Sequence, residues 1–203
     1  MISYNALSRM CIWLSRIGCC RGFGVQSPWA YSFVRYVINE HYPYYAYGAL
    51  GSIFRSITVS ERKMGEFYLR LANYVQPSDV FLLFSSDDSF GDMRRKYLAS
   101  GCRRCIFTEL KKDEVPTRRG TSSAIILCCS SSLVSLDMLE KTVKEGEKGD
   151  IIIVEDIKKN GVSRQMWKEL TTRLDGVLMF DLFYCGIIYI DADRYKQHFK
   201  INF

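Results

Sequence analysis

The chain has 203 residues, 48% of them hydrophobic and 25% charged, with 28 Lys and Arg against 22 Asp and Glu for a formal net charge of +6. That composition is ordinary for a soluble globular protein long enough to bury a sizeable core, as one domain or one domain with an extension. No apolar run approaches the ~18 residues of a membrane span, and cysteines without dense spacing do not make a secreted disulfide scaffold.

The N-terminal stretch "MISYNALSRMCIWLSRIGCCRGFG" holds only the short apolar run Met10–Ser15, bracketed by Arg9 and Arg16. A signal peptide places its charges first and a longer apolar run after them. A cytoplasmic protein without a membrane partner is therefore expected, with a weakly amphipathic basic start. Ser27–Pro28 opens a helix, Ser as N-cap and Pro at the first helical position. It runs to about Glu40, with Phe33, Val34, Val37 and Ile38 inward. Pro43 in "HYPYYAY" forbids its continuation, and the tyrosines there read as a packed lid. Thr58-x-x-Glu61 is a capping box. Behind it Met64, Phe67, Tyr68, Leu71, Ala72 and Val75 keep helical spacing, the clearest amphipathic helix in the chain.

From Pro77 the pattern changes. The continuous apolar run Val80–Phe84 predicts a strand buried on both faces. A helix over 91–100 and strands over 104–110 and 124–129 follow, then a helix over 133–145, a strand over 150–155 and a helix over 163–173. "GVLMFDLFYCGIIYID" is two apolar stretches meeting near Cys185–Gly186, an antiparallel hairpin, and "HFKINF" adds a short edge strand. Alternating strands and helices imply an α/β domain with a mostly parallel sheet and right-handed crossovers. It would span 76–203, behind a helical, aromatic-rich cap over 1–75. Ligands of such sheets bind beyond the carboxyl ends of the strands, which places the turn "SSDDSFG" and the strand-end acid Glu109 where a ligand would lie.

Three stretches carry a family resemblance: "RGFGVQSPWAYSFVRYVINEHYPYYAY", "IIIVEDIKKNGVSRQMWKEL" and "FDLFYCGIIYIDADRYKQHFKINF". With the hairpin-closed sheet they resemble the class I S-adenosylmethionine-dependent methyltransferases, and within them a bacterial O-methyltransferase-like branch. The resemblance implies a Rossmann-like sheet with S-adenosylmethionine as cofactor. Ser85, Ser86, Asp88 and Gly91 would line the methionine part, and Glu109 would accept the ribose hydroxyls. Cys129 would face the cofactor from the next strand end, and Asp156 would hold or deprotonate the methyl acceptor.

The middle of the chain departs from that pattern. Of the glycines expected in the cofactor turn only Gly91 remains, and the serines and aspartates there are good helix N-caps. The connection "LKKDEVPTRRGTSS" is too short for a helix, a strand and another helix, so the third strand of the family is expected to be missing. Cys128–Cys129–Ser130 stands where relatives carry Asp-Gly-Asn-His, leaving Glu155 and Asp156 as too few oxygen ligands for a magnesium ion; no metal is expected. Cys102-x-x-Cys105 lacks a second pair and reads as structural. The leading expectation is a degenerate methyltransferase fold, with catalysis lost and cofactor binding either kept or lost with it, that binds a protein partner or a small molecule. The alternatives are an active O-methyltransferase on a small hydroxyl-bearing substrate, or a basic nucleic-acid binder using the cations of residues 94–119. A missing third strand leaves the second at the sheet edge, covered by the 111–122 loop or by a second copy in a homodimer.

Overall fold

The computed structural model describes residues 5–203 except 23, 86, 87, 89 and 120–123, and the main chain alone at 20 and 21. Two compact units make up the chain. The first comprises Met1–Gln76, Asp88–Cys105 and Asn202–Phe203; the second comprises Pro77–Asp87 and Ile106–Ile201.

The first unit is helical. Asn5 caps α1 (Ala6–Ser15) by accepting from the Ser8 amide at 2.8 Å, and a 3-10 turn, Ile17–Gly22, follows. Ser27 caps α2 (Pro28–Phe33), which widens into a π turn over Val34–Ile38. That helix ends at Ile38, ahead of Pro43, and a further helix, α3 (Tyr45–Ile53), begins two residues after the proline. The capping box is formed: the Glu61 amide donates to Thr58 Oγ1 at 3.2 Å and the Thr58 amide to Glu61 Oε2 at 2.8 Å, opening α4 (Val59–Val75). From α4 the buried Arg70 donates to the carbonyls of Val37 (2.7 Å) and Ile38 (3.0 Å) and to the Tyr47 hydroxyl (3.0 Å). It thus satisfies carbonyls that a helix end leaves open. Helix α5 (Gly91–Gly101) packs on α4 so closely that a Cβ on Gly101 would overlap the Leu69 carbonyl.

The second unit is a Rossmann-like sheet. Its strands are β1 (Asp79–Leu83), β2 (Ile106–Glu109), β3 (Ile125–Ser130), β4 (Ile151–Glu155), β5 (Val177–Asp181), β6 (Cys185–Ile190) and β7 (Gln197–Lys200). Their order is β2-β1-β3-β4-β6-β5-β7. Every pairing is parallel except those of β6, which runs antiparallel to both β4 and β5. The hairpin turns over Leu182–Tyr184 rather than at Cys185–Gly186, which lie inside β6. Among the described residues nothing between Glu109 and Ile125 forms a strand or helix, so β2 is an edge. On one face α6 (Leu136–Glu145) and α7 (Gly161–Arg173) lay Met138, Leu139, Met166, Trp167 and Leu170 onto Phe81, Leu83, Leu127, Val154 and Met179. Each such side chain, fully buried, contributes about 1.5–3 kcal/mol. Trp167 reaches the sheet over Gly186, where an added Cβ would overlap its ring.

Candidate functional site

In the second unit the register sets Leu82 level with Glu109 and Cys128, and Ser130 level with Glu155. The residues after these, including Ser85 and Asp156, therefore share the carboxyl edge of the sheet, where open α/β sheets bind ligands. Ser85 and Glu109 are exposed there. Cys129 is wholly buried in the core, its thiol donating to the Ile153 carbonyl at 3.4 Å. Burial first, and then Cys128 and Glu155, push that thiol well above its ordinary pKa and keep it protonated. Ser86 lies outside the described residues.

Asp156 takes a left-handed backbone (φ 61°), which aspartate tolerates better than most residues. Its amide donates to the Tyr184 carbonyl at 2.8 Å, and its carbonyl accepts from Ser131 Oγ at 3.1 Å and the Lys159 amide at 2.9 Å. Ser131 Oγ also lies 3.0 Å from Ser163 Oγ, at the start of α7. This turn is held on three sides. Beside it, buried Asp181 accepts from the Phe183 amide at 2.9 Å and pairs with Lys158 at 2.9 Å. Burial, then the charges of Glu155 and Asp181, the Cys128 thiol and the charge of Asp156, raise the Cys185 thiol well above its ordinary range. The three carboxylates thus share one buried neighbourhood. Among the described residues, no group of three His, Cys, Asp or Glu is arranged to hold a metal ion.

Asp88 and Gly91 belong to the other unit. Asp88 lies in the turn before α5: its Oδ1 accepts from the Phe90 amide at 3.1 Å and its Oδ2 from Arg94 at 3.0 Å. Arg94 is 1% exposed and lies 4.7 Å from the Phe90 ring centroid. Gly91 opens the helix, and a Cβ there would meet nothing within 4 Å.

The segment after β2 is fixed at both ends. The Leu110 amide continues the pairing to the Leu82 carbonyl at 2.8 Å, and Val115 packs against the sheet core. Arg118 donates to both oxygens of the buried Asp150, at 2.7 and 2.6 Å, and Asp150 also accepts the amides of Ile125 and Glu147. Arg119 donates to Thr108 Oγ1 on β2 at 3.0 Å and lies 3.9 Å from buried Asp79. In place of a crossover helix there is a loop clamped across the amino-terminal edge. No family model matches the chain. No curated protein matches it either. Among solved structures the chain is similar to that of cofactor-bound Rv0187 from MTB, with 11% identity over 71% of this chain and 88% of that one at a TM-score of 0.45.

Of the residues singled out from the sequence, the second unit brings Ser85, Glu109, Cys129 and Asp156 to the strand ends, and the first holds Asp88 and Gly91. His41 is exposed in the first unit, in a shallow cleft of about 500 Å³ with Arg35, Glu40 and Tyr42. Sequence reasoning missed Asp181, Lys158 and Ser131. The one available signal was Asp181 itself, a lone acid between two apolar runs. Chemically, this edge offers an exposed carboxylate at Glu109, the hydroxyl pair Ser130–Ser132 at 2.9 Å and buried acids beyond them. Such a set accepts and donates hydrogen bonds to a polar ligand.

Proposed function

We propose that the protein is a methyltransferase-type fold that no longer binds S-adenosylmethionine and serves as an interaction or small-ligand-binding module. The observation that carries this reading is the clamped loop after β2. A helix, strand and helix there would supply the wall against the adenine. The loop instead folds back, with Arg118 held on Asp150 and Arg119 on Thr108. Two further observations support it. Asp88 is engaged by Phe90 and buried Arg94 rather than turned to a ligand, and the Cys129 thiol is buried against a carbonyl. Within the basic segment, Arg94, Lys96, Arg118 and Arg119 each lie within 4.0 Å of a carboxylate, which disfavours a nucleic-acid groove built on those four.

One observation favours a second reading, an active O-methyltransferase. Glu109 stands exposed at the end of β2 beside β1, where a carboxylate would take the ribose hydroxyls. In that reading Asp156 would orient the acceptor, and catalysis would come mostly from proximity. A thermal-shift titration with S-adenosylmethionine and S-adenosylhomocysteine separates the two. Ligand at 100 times its dissociation constant stabilises a fold by about 2.7 kcal/mol. The degenerate reading expects no shift at millimolar ligand; a saturable shift lost in Glu109→Ala would establish the active reading instead.

A further inference from the structure

Helix α1 is amphipathic but turned the wrong way round for a packed element. Amphipathic helices of soluble domains bury the apolar side, yet no residue of α1 is buried. Leu7, Met10, Leu14 and Ile17, spaced 3, 4 and 3 apart, are 66%, 53%, 51% and 56% exposed, with Trp13 beside them at 49%. It is Arg16, at the helix end, that is buried, at 3%. The helix is held through its main chain: Asn202 Nδ2 donates to the Trp13 carbonyl at 3.1 Å and the Asn202 amide to the Cys19 carbonyl at 3.0 Å. The outward stripe is therefore fixed in place, not a frayed end.

Two properties of the first unit identify what covers the stripe. Twelve of the fifteen large apolar side chains exposed among the described residues lie in this unit, Tyr31, Tyr36, Tyr42, Tyr45 and Tyr74 among them. The unit also carries thirteen Lys and Arg against five Asp and Glu, while the second carries fifteen against seventeen. Arg16, Arg70 and Arg94 among them are buried, but the remaining cations still outnumber the acids, and a surface with that excess repels a second copy of itself and attracts an anionic one. Exposed Trp and Tyr, an excess of cations and a short apolar stripe are the classes of residue that helices lying in a membrane interface use, and this unit carries all three.

We propose that α1 is an interfacial anchor that docks the protein through Leu7, Met10, Trp13, Leu14 and Ile17 onto an anionic lipid surface. The helix lies in the headgroup plane and crosses nothing: no described helix is long and apolar enough to span a bilayer. The test is flotation of the full-length protein with vesicles of phosphatidylcholine alone or with about one third phosphatidylglycerol. The wild type is expected to float with the anionic vesicles, more weakly at high salt. The double variant Leu7→Glu, Leu14→Glu, whose sites are exposed and leave the fold intact by circular dichroism, is expected to bind at least about tenfold more weakly. Folded protein that stays unbound at about 1 mM anionic lipid would overturn the proposal, as would equal binding by the variant. A concentration-dependent dimer in sedimentation velocity that the variant abolishes would also overturn it, giving the stripe to a second copy.

Discussion

Arg70 and Lys63 stand two turns apart on α4 and are treated in opposite ways. Arg70 is accommodated in the interior because two main-chain carbonyls and the Tyr47 hydroxyl accept from it; Arg70→Ala leaves those carbonyls unmet and should cost about 2–4 kcal/mol in urea denaturation. Arg70→Lys should recover only part of this, since an ammonium cannot reproduce the planar fork. Lys63, 4.7 Å from the centroid of the Phe203 ring, has its pKa pushed down from 10.5 to about 8 by burial and then by Arg70 and Arg9. Its folded pKa lies below its unfolded one, so between 8 and 10.5 the unfolded chain holds a proton the folded chain has released. Stability should therefore rise with pH across that window. Urea midpoints taken across it should show the rise in the wild type and a smaller one in Lys63→Met; equal slopes would contradict the assignment.

Among the elements, the close approaches are made at glycine. Gly101 lets α5 meet the Leu69 carbonyl and Gly186 lets the Trp167 ring lie on β6, so Ala at either position should destabilise by about 1–3 kcal/mol through overpacking. Gly91 has open space around its missing Cβ, so Gly91→Ala should be neutral or stabilise slightly. The clamped loop makes a further prediction. Arg118→Ala leaves buried Asp150 without its ion-pair partner, and should lower the melting temperature and make residues 111–119 the first site of limited proteolysis. Much of this level was legible in the sequence. Thr58 with Glu61, and Ser27 with Pro28, are local signals that fixed two helix starts. The π turn and α3 were not legible. The first is completed by an arginine more than thirty residues away, and α3 begins right behind a proline read only as a breaker.

For the whole molecule, the mostly parallel sheet, its antiparallel C-terminal hairpin and the lack of a strand in the described part of the 110–123 connection were legible from alternation and from the length of that connection, because both are constraints of chain geometry; the order of the strands was not. The acid neighbourhood did not follow. Asp181 meets Lys158, and Cys185 meets Glu155, only through the β4–β6–β5 register, which no local pattern encodes. At the same scale, the described part of the segment after β2 is a loop clamped through Arg118 and Arg119 at the amino-terminal edge, and in the reading proposed above this leaves the opposite, carboxyl edge without the wall that would face an adenine. The charge division between the units is a second whole-molecule property, and it predicts salt-sensitive attraction to anionic surfaces. The most direct measurement is equilibrium dialysis of the folded protein against labelled S-adenosylmethionine. A fold that no longer binds the cofactor leaves equal label on both sides of the membrane up to millimolar ligand. Saturable one-to-one retention that Glu109→Ala removes would contradict it and make the protein a working methyltransferase fold.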